Sequence, residues 1–160
     1  MRSILVFIIL TITASTQGAD LQKIRNQYVL ASSDESIHTR LTETLRAVNE
    51  ESPVLFGYKA ATHMMSAQFT YNPYSKYRYF KDGKTMIEKI IGTNPNNIEL
   101  RYLRLSIQLN LPDVLDYSAN IEGDTQFLLQ KYSSLTDTNL KARIRDLLIH
   151  FELCKASDLT

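Results

Sequence analysis

One cysteine, Cys154, is all that a chain of 160 residues provides. An internal disulfide is therefore excluded, and the fold must be held by packing alone. Excess charge is missing too: 18 Lys plus Arg stand against 17 Asp plus Glu. That balance gives no bulk support to a polyanion-binding role, nucleic acid included. The three histidines, His38, His63 and His150, are far apart, and none has the i,i+4 partner of a helical zinc pair. No G-x-S-x-G elbow, glycine-rich phosphate loop or catalytic-cysteine signature occurs. Nothing here argues strongly for an enzyme, and nothing implies a cofactor or a bound metal.

Long hydrophobic runs are equally scarce, with a single instance at the N-terminus. MRSILVFIILTITASTQGAD has a basic start at Arg2, an apolar run from Ile4 to Ile12, and small or polar residues up to Gly18 and Ala19. This is the three-part layout of a secretory signal peptide, whose apolar core of ~7–15 residues is too short for a bilayer span of ~20. Residues 1–19 are accordingly expected to be a leader cleaved after Ala19, with Gly18 as the alternative. The remainder, 20–155, is expected to form one domain, with 156–160 as a frayed end. A domain of that size buries a core without staples. After the leader, no stretch is long and apolar enough to span a membrane, and no Pro/Gly-rich linker divides the chain.

What the mature region does have is helical periodicity. Leu21, Ile24, Tyr28 and Ala31 share a face; so do Ile37, Leu41, Leu45 and Val48, after a capping-box pattern Ser32-x-x-Glu35. Ser52-Pro53 opens a helix ringed by Leu55, Phe56, Ala60, Ala61, Met64, Met65 and Phe69, which predicts burial. Asn72-Pro73 repeats the signal and starts a helix with Tyr79, Phe80, Met86, Ile87, Ile90 and Ile91 on one broad side. Gly83 falls on that side, where its cost of ~1 kcal/mol relative to alanine is offset if a neighbouring helix comes close. Asn94-Pro95-Asn96 breaks the chain. Further helices are predicted over Asn97 to Leu109, Ile121 to Tyr132, and after an Asp137 cap. The total is about seven helices with no convincing strand.

NIELRYLRLSIQLNLP, from Asn97 to Pro112, is the most informative stretch. At about 100° per residue, Ile98, Tyr102, Leu105 and Leu109 form one apolar stripe. Leu100, Leu103, Ile107 and Leu111 form a second on nearly the opposite side. A surface helix needs one stripe; two opposed stripes require neighbours on both flanks. The expected fold is thus all-α, a compact bundle or stack with a doubly packed central helix at residues 97–109. Between the stripes run two polar edges, Arg101, Arg104 and Gln108 on one and Glu99, Ser106 and Asn110 on the other. A buried unpaired guanidinium costs ~3–5 kcal/mol. Arg101 and Arg104 are therefore expected to tie the helix to acids such as Glu88, Asp116, Glu122 or Asp124, the alternative being a groove in which they grip a carboxylate or phosphate.

Other chemistry is thin. His150 and Cys154 are four apart, but two donors do not make a metal site. His63-Met64-Met65 offers soft donors, yet consecutive helical positions point about 100° apart, so core methionines are the better reading. The carboxylate pairs Asp113 with Asp116 and Glu122 with Asp124 read as exposed acids complementing helix dipoles. YNPYSKYRYFKDGK mixes tyrosines with Lys76, Arg78, Lys81 and Lys84, a pattern able to stack on a ligand. Its helical phase turns Tyr79 and Phe80 inward and Tyr74, Arg78 and Lys81 outward. The weak candidates for ligand or partner contact are thus Arg101, Arg104, Gln108, Tyr74, Arg78 and Lys81.

The segment NPYSKYRYFKDGKTMIEKIIGTNPNNIELRYLRLSIQLNLPDVLDY, followed by IEGDTQFLLQKY and preceded by the leader, resembles a family of small exported helical proteins from Bacteroidota. The similarity covers about residues 50–132, with ELRYLRLSIQ as its most specific block. It implies an exported all-helical fold with a periplasmic address and transfers no catalytic residue. DGKTMIEKIIGTNPNNIELRYLR is also loosely similar to a tetratricopeptide hairpin, although no 34-residue period recurs. The functional expectation is an exported, non-enzymatic binding or envelope-interaction protein, with an envelope protein as a possible partner. The alternatives are a small hydrolase, in which His63 or a carboxylate pair would meet the arginines in a closed pocket, and a metal-handling periplasmic protein.

Overall fold

The computed structural model describes residues 13–159, with side chains from Asp20 onward. The apolar run of the expected leader lies outside the described residues. Seven α-helices follow one another: α1 (Thr13–Ala31), α2 (Glu35–Leu45), α3 (Pro53–Met65), α4 (Pro73–Thr93), α5 (Ile98–Asn110), α6 (Ile121–Tyr132) and α7 (Thr138–His150). Short 3-10 turns occupy Ser66–Phe69, Asp113–Leu115 and Ala156–Leu159. The described residues contain no strand.

Caps set the helix starts. The side chains of Asn72, Asn97 and Asp137 accept backbone N–H bonds from the first turns of α4, α5 and α7, satisfying donors that no helix can satisfy internally. The start of α2 differs from its sequence pattern. Asp34, not Ser32, is the cap, accepting from the N–H groups of Ser36 and Ile37. The Ser32 hydroxyl instead donates back to the Val29 carbonyl at the end of α1, so a short Ser-Ser turn separates the two helices. The C-terminus also departs from expectation. Residues 156–159 form a turn rather than a frayed end, because Leu159 is buried and the turn packs on α6.

α5 is the centre of the bundle. It touches α3, α4, α6 and α7, with its Leu100 and Leu103 side chains against Gly57 of α3. Leu100, Leu103 and Leu105 are fully excluded from solvent, and Tyr102 and Ile107 are buried. Each such aliphatic side chain stabilises the fold by ~1.5–3 kcal/mol relative to exposure, before entropy is subtracted. Both apolar stripes are therefore covered, as their spacing requires.

Close approach at α3 depends on small residues. A Cβ built on Gly57 would collide with the Leu100 side chain of α5. One built on Gly83 of α4 would lie 2.9 Å from the Ala60 carbonyl oxygen and 2.9 Å from Met64 Cβ. Gly83 thus seats α4 against the backbone of α3, whereas a Cβ on Gly92 would meet nothing within 4 Å. Gly83→Ala is expected to lower stability by about 1–3 kcal/mol, because backbone atoms cannot yield as a side chain can. Gly92→Ala is expected to raise it by about 0.5–1 kcal/mol through helix propensity. Urea denaturation of the two variants checks the contrast; equal effects would remove Gly83 from this role.

Candidate functional site

The polar edges of α5 become two ionic clusters. In the first, Arg104 presents a two-pronged contact to Asp124 of α6, with Nε 2.7 Å from Oδ2 and Nη2 2.9 Å from Oδ1. Its third nitrogen, Nη1, donates to Glu88 Oε2 of α4 at 2.7 Å. Arg101 adds a second positive charge, its Nε 2.7 Å from Asp124 Oδ1. That N–H is not aimed along the contact, so the pair is held by charge rather than by a hydrogen bond. The guanidinium of Arg101 also lies over the Phe127 ring at 4.8 Å. Tyr117 donates its hydroxyl to Glu88 Oε1, and the Lys84 ammonium sits 4.5 Å above the Tyr117 ring.

Asp124 is 0 % exposed and Arg104 is 4 % exposed, so this is a desolvated ion pair joining α4, α5 and α6. Burial by itself would lower the Arg104 pKa, but the hydrogen bond and charge of Asp124, with those of Glu88, outweigh it and the pKa rises. The Tyr117 hydroxyl is pushed well above its usual range by burial and by the Glu88 carboxylate. Asp124 corrects the reading of the Glu122 and Asp124 pair as exposed dipole-complementing acids. Its place in the first turn of α6 faces α5, where the arginines draw it in. Gln108 lies farther along the same edge and donates to Asn120 Oδ1 at 3.2 Å.

A second cluster at the other end of α5 has no counterpart in the pairings expected from sequence. Glu99 receives Arg25 of α1 through two contacts, 2.6 and 2.7 Å, and the Tyr58 hydroxyl of α3 at 2.9 Å. Arg25 also donates to Asp137 Oδ2 at 2.8 Å, so the N-cap of α7 doubles as an ion-pair partner. Burial acts to raise the Asp137 pKa, but the hydrogen bond from Arg25 and those from the α7 backbone bring it below the usual carboxylate value. Burial and the nearby Glu99 charge hold the Tyr58 hydroxyl protonated. The available sequence signal was phase: Arg25 is adjacent to core residue Ile24, on the inward side of α1.

The remaining candidates separate. Met64 and Met65 are buried in the core, while His63 is half-buried, edge-on to Tyr79 and 4.0 Å from Asp82. His63 therefore does not meet the arginines. The helical spacing assumed for His150 and Cys154 fails, because α7 ends at His150 and Glu152 takes a left-handed conformation with φ 56°. No group of three or more His, Cys, Asp or Glu able to hold a metal is found among the described residues. Tyr74, Arg78 and Lys81 are all exposed on the outward side of α4. Beside them, an open concavity of about 560 Å³ runs between α4 and the Asp113–Leu115 turn, with Tyr77, Lys81, Lys84 and Val114 on its walls.

No family model, no curated protein and no solved structure matches the chain. Its internal geometry accordingly carries the functional reading. That geometry divides the six sequence candidates into two sets. Arg101, Arg104 and Gln108 are turned into the α5–α6 contact, whereas Tyr74, Arg78 and Lys81 face out.

Asp124→Asn leaves two guanidinium groups at a buried contact without their shared carboxylate. The expected loss is about 3–5 kcal/mol, against less than about 0.5 kcal/mol for Asp113→Asn on the exposed turn. Chemical denaturation measures both, and near-equal midpoints would show that the Asp124 cluster does not hold the bundle.

Proposed function

We propose that the chain is an exported helical protein of the cell envelope that binds a partner through an exposed face and has no catalytic activity. The observation that carries this reading is the inward engagement of Arg104 and Arg101 by Asp124 and Glu88. The groups best suited to grip an anionic substrate in a pocket are neutralised within the fold. Two cations against two carboxylates leave that cluster without net charge. The hydrolase alternative needs His63 or a carboxylate pair to converge on the arginines, and His63 faces Asp82 and Tyr79 instead.

Export is supported by the charged start, apolar core and small-residue end of residues 1–19. The described core on α1 begins beyond that point, with Leu21 against the core and Ile24 in it. Cleavage after Ala19 therefore removes none of the core residues identified on α1. The resemblance to exported Bacteroidota proteins points to the same address, and no described helix is long and apolar enough to cross a membrane. Partner contact falls to the Tyr74, Arg78 and Lys81 face of α4.

Fractionation of cells that express the full chain is expected to place a shortened product outside the cytoplasm. Ile8→Asp, which interrupts the apolar run, is expected to retain a full-length product inside. A benzophenone amino acid at position 74 is expected to crosslink an envelope component. A full-length wild-type product confined to the cytosol would contradict the reading.

A further inference from the structure

The outward face of α4 combines tyrosines with basic residues. Tyr74, Tyr77, Arg78, Lys81, Lys84 and Thr85 fall within about 120° of one another around the helix axis. Tyr74 and Tyr77 are 73 % and 58 % exposed. They are joined by Tyr71, 100 % exposed just before the Asn72 cap, and by Val114, 88 % exposed on the turn across the concavity. Tyr71 and Tyr74 project from the surface, while Tyr77 and Val114 stand on the walls of the open concavity.

Along the first half of α4 the charge is one-sided, whereas Glu88 and Asp116 contribute carboxylates to the concavity beside it. Between Pro73 and Lys84 the chain has Lys76, Arg78, Lys81 and Lys84 against Asp82 alone, a local excess of three positive charges. Asp82 is directed towards His63. None of the four cations has a carboxylate within 4 Å among the described residues, whereas Lys89 is paired with Glu50 and Arg104 with Asp124 and Glu88. Lys84 is held at the edge of the concavity by the Tyr117 and Phe80 rings, 4.5 and 5.8 Å from its ammonium. The molecule as a whole is near-neutral, so this excess is local.

We propose that this face docks the protein on an anionic lipid surface, with Tyr71, Tyr74 and Tyr77 entering the headgroup layer and Arg78, Lys81 and Lys84 meeting lipid phosphates. The inference rests on the envelope reading and names the partner of its exposed face. Three features favour a bilayer over an acidic protein. Tyr71 and Tyr74 protrude, as contact with a broad, yielding surface requires. Tyrosine is suited to the boundary layer because its ring is apolar and its hydroxyl remains hydrated. Flexible lysine and arginine stems place their charges at the phosphate level while their methylenes cover apolar surface.

The test uses the full chain and vesicles of phosphatidylglycerol and phosphatidylcholine, with pure phosphatidylcholine vesicles as the neutral arm. The protein is expected to sediment with the anionic vesicles only, and binding is expected to fall as NaCl rises from about 0.05 to 0.5 M. Arg78→Glu with Lys81→Glu is expected to weaken binding at least about tenfold. The charge-matched pair Lys131→Glu with Arg145→Glu, exposed on α6 and α7, is expected to stay within about twofold of the unmutated protein. The Ile4 to Ile12 run is common to all variants, so the comparison isolates the α4 face. The chain has no tryptophan, which makes Tyr74→Trp a single reporter whose emission is expected to shift to the blue on anionic vesicles alone.

Equal binding to neutral vesicles, equal loss in the charge-matched pair, or unshifted emission from the Tyr74→Trp variant would overturn the proposal. Binding to a poly-glutamate peptide without vesicle binding would also overturn it and reassign the face to an acidic protein partner. In that case an exported, processed product that crosslinks a protein through position 74 leaves the envelope reading standing. A cytosolic full-length product removes both.

Discussion

A helix that is apolar on two opposite flanks leaves its charged edges little direct access to water. α5 meets this constraint by drawing counter-charges from α1, α4 and α6. Arg104 takes Asp124 from α6 and Glu88 from α4, and Glu99 takes Arg25 from α1. Desolvating these groups is costly, and a buried ion pair offsets that cost only when its geometry is good and its remaining polar atoms are satisfied. The two-pronged Arg104–Asp124 and Arg25–Glu99 contacts provide that geometry, and the Tyr58 and Tyr117 hydroxyls donate to Glu99 and Glu88. Apolar burial supplies the driving force, and the ion pairs tie α5 to α1, α4 and α6.

Much of this was legible in the sequence. Two stripes at helical spacing on Ile98 to Leu111 predict burial from both sides, and the Asn72, Asn97 and Asp137 caps mark helix starts through local chemistry that needs no tertiary information. Gly83 was legible too, since a glycine on an otherwise apolar helix face suggests close approach. The clusters were harder to read. Asp124 occupies the first turn of a helix, where an exposed acid and a buried one follow the same sequence rule, and only the orientation of α6 distinguishes them. Arg25 and Glu99 are separated by 74 positions, so their pairing is a product of topology. Gly57 stands within an apolar helix whose packing partner the sequence does not name. The His150 and Cys154 spacing misled because one left-handed residue, Glu152, ends the helical register between them.

The same physical logic separates the sequence candidates for function. An arginine on a helix edge serves either the fold or a ligand, and residue type alone does not distinguish the two. Position does: Arg101 and Arg104 flank buried leucines and are paired internally with carboxylates, whereas Arg78 and Lys81 occupy the outer side of α4 with no carboxylate partner among the described residues. α4 is thus divided along its length. Its inner side, through Gly83, is pressed onto α3, while its outer side remains available for contact. Fixing that helix on both the α3 backbone and the Glu88 cluster gives the exposed tyrosines and cations a rigid base.

Native-state hydrogen exchange is the most direct test of α5 as the element on which the rest is assembled. If its two flanks and both ion clusters must part before it opens, the amides of Leu103, Arg104 and Leu105 will exchange only through global unfolding, with the free energy and urea dependence of the whole protein. Exchange of those amides through a lower-energy opening, ahead of the α2 or α7 amides, would contradict the account.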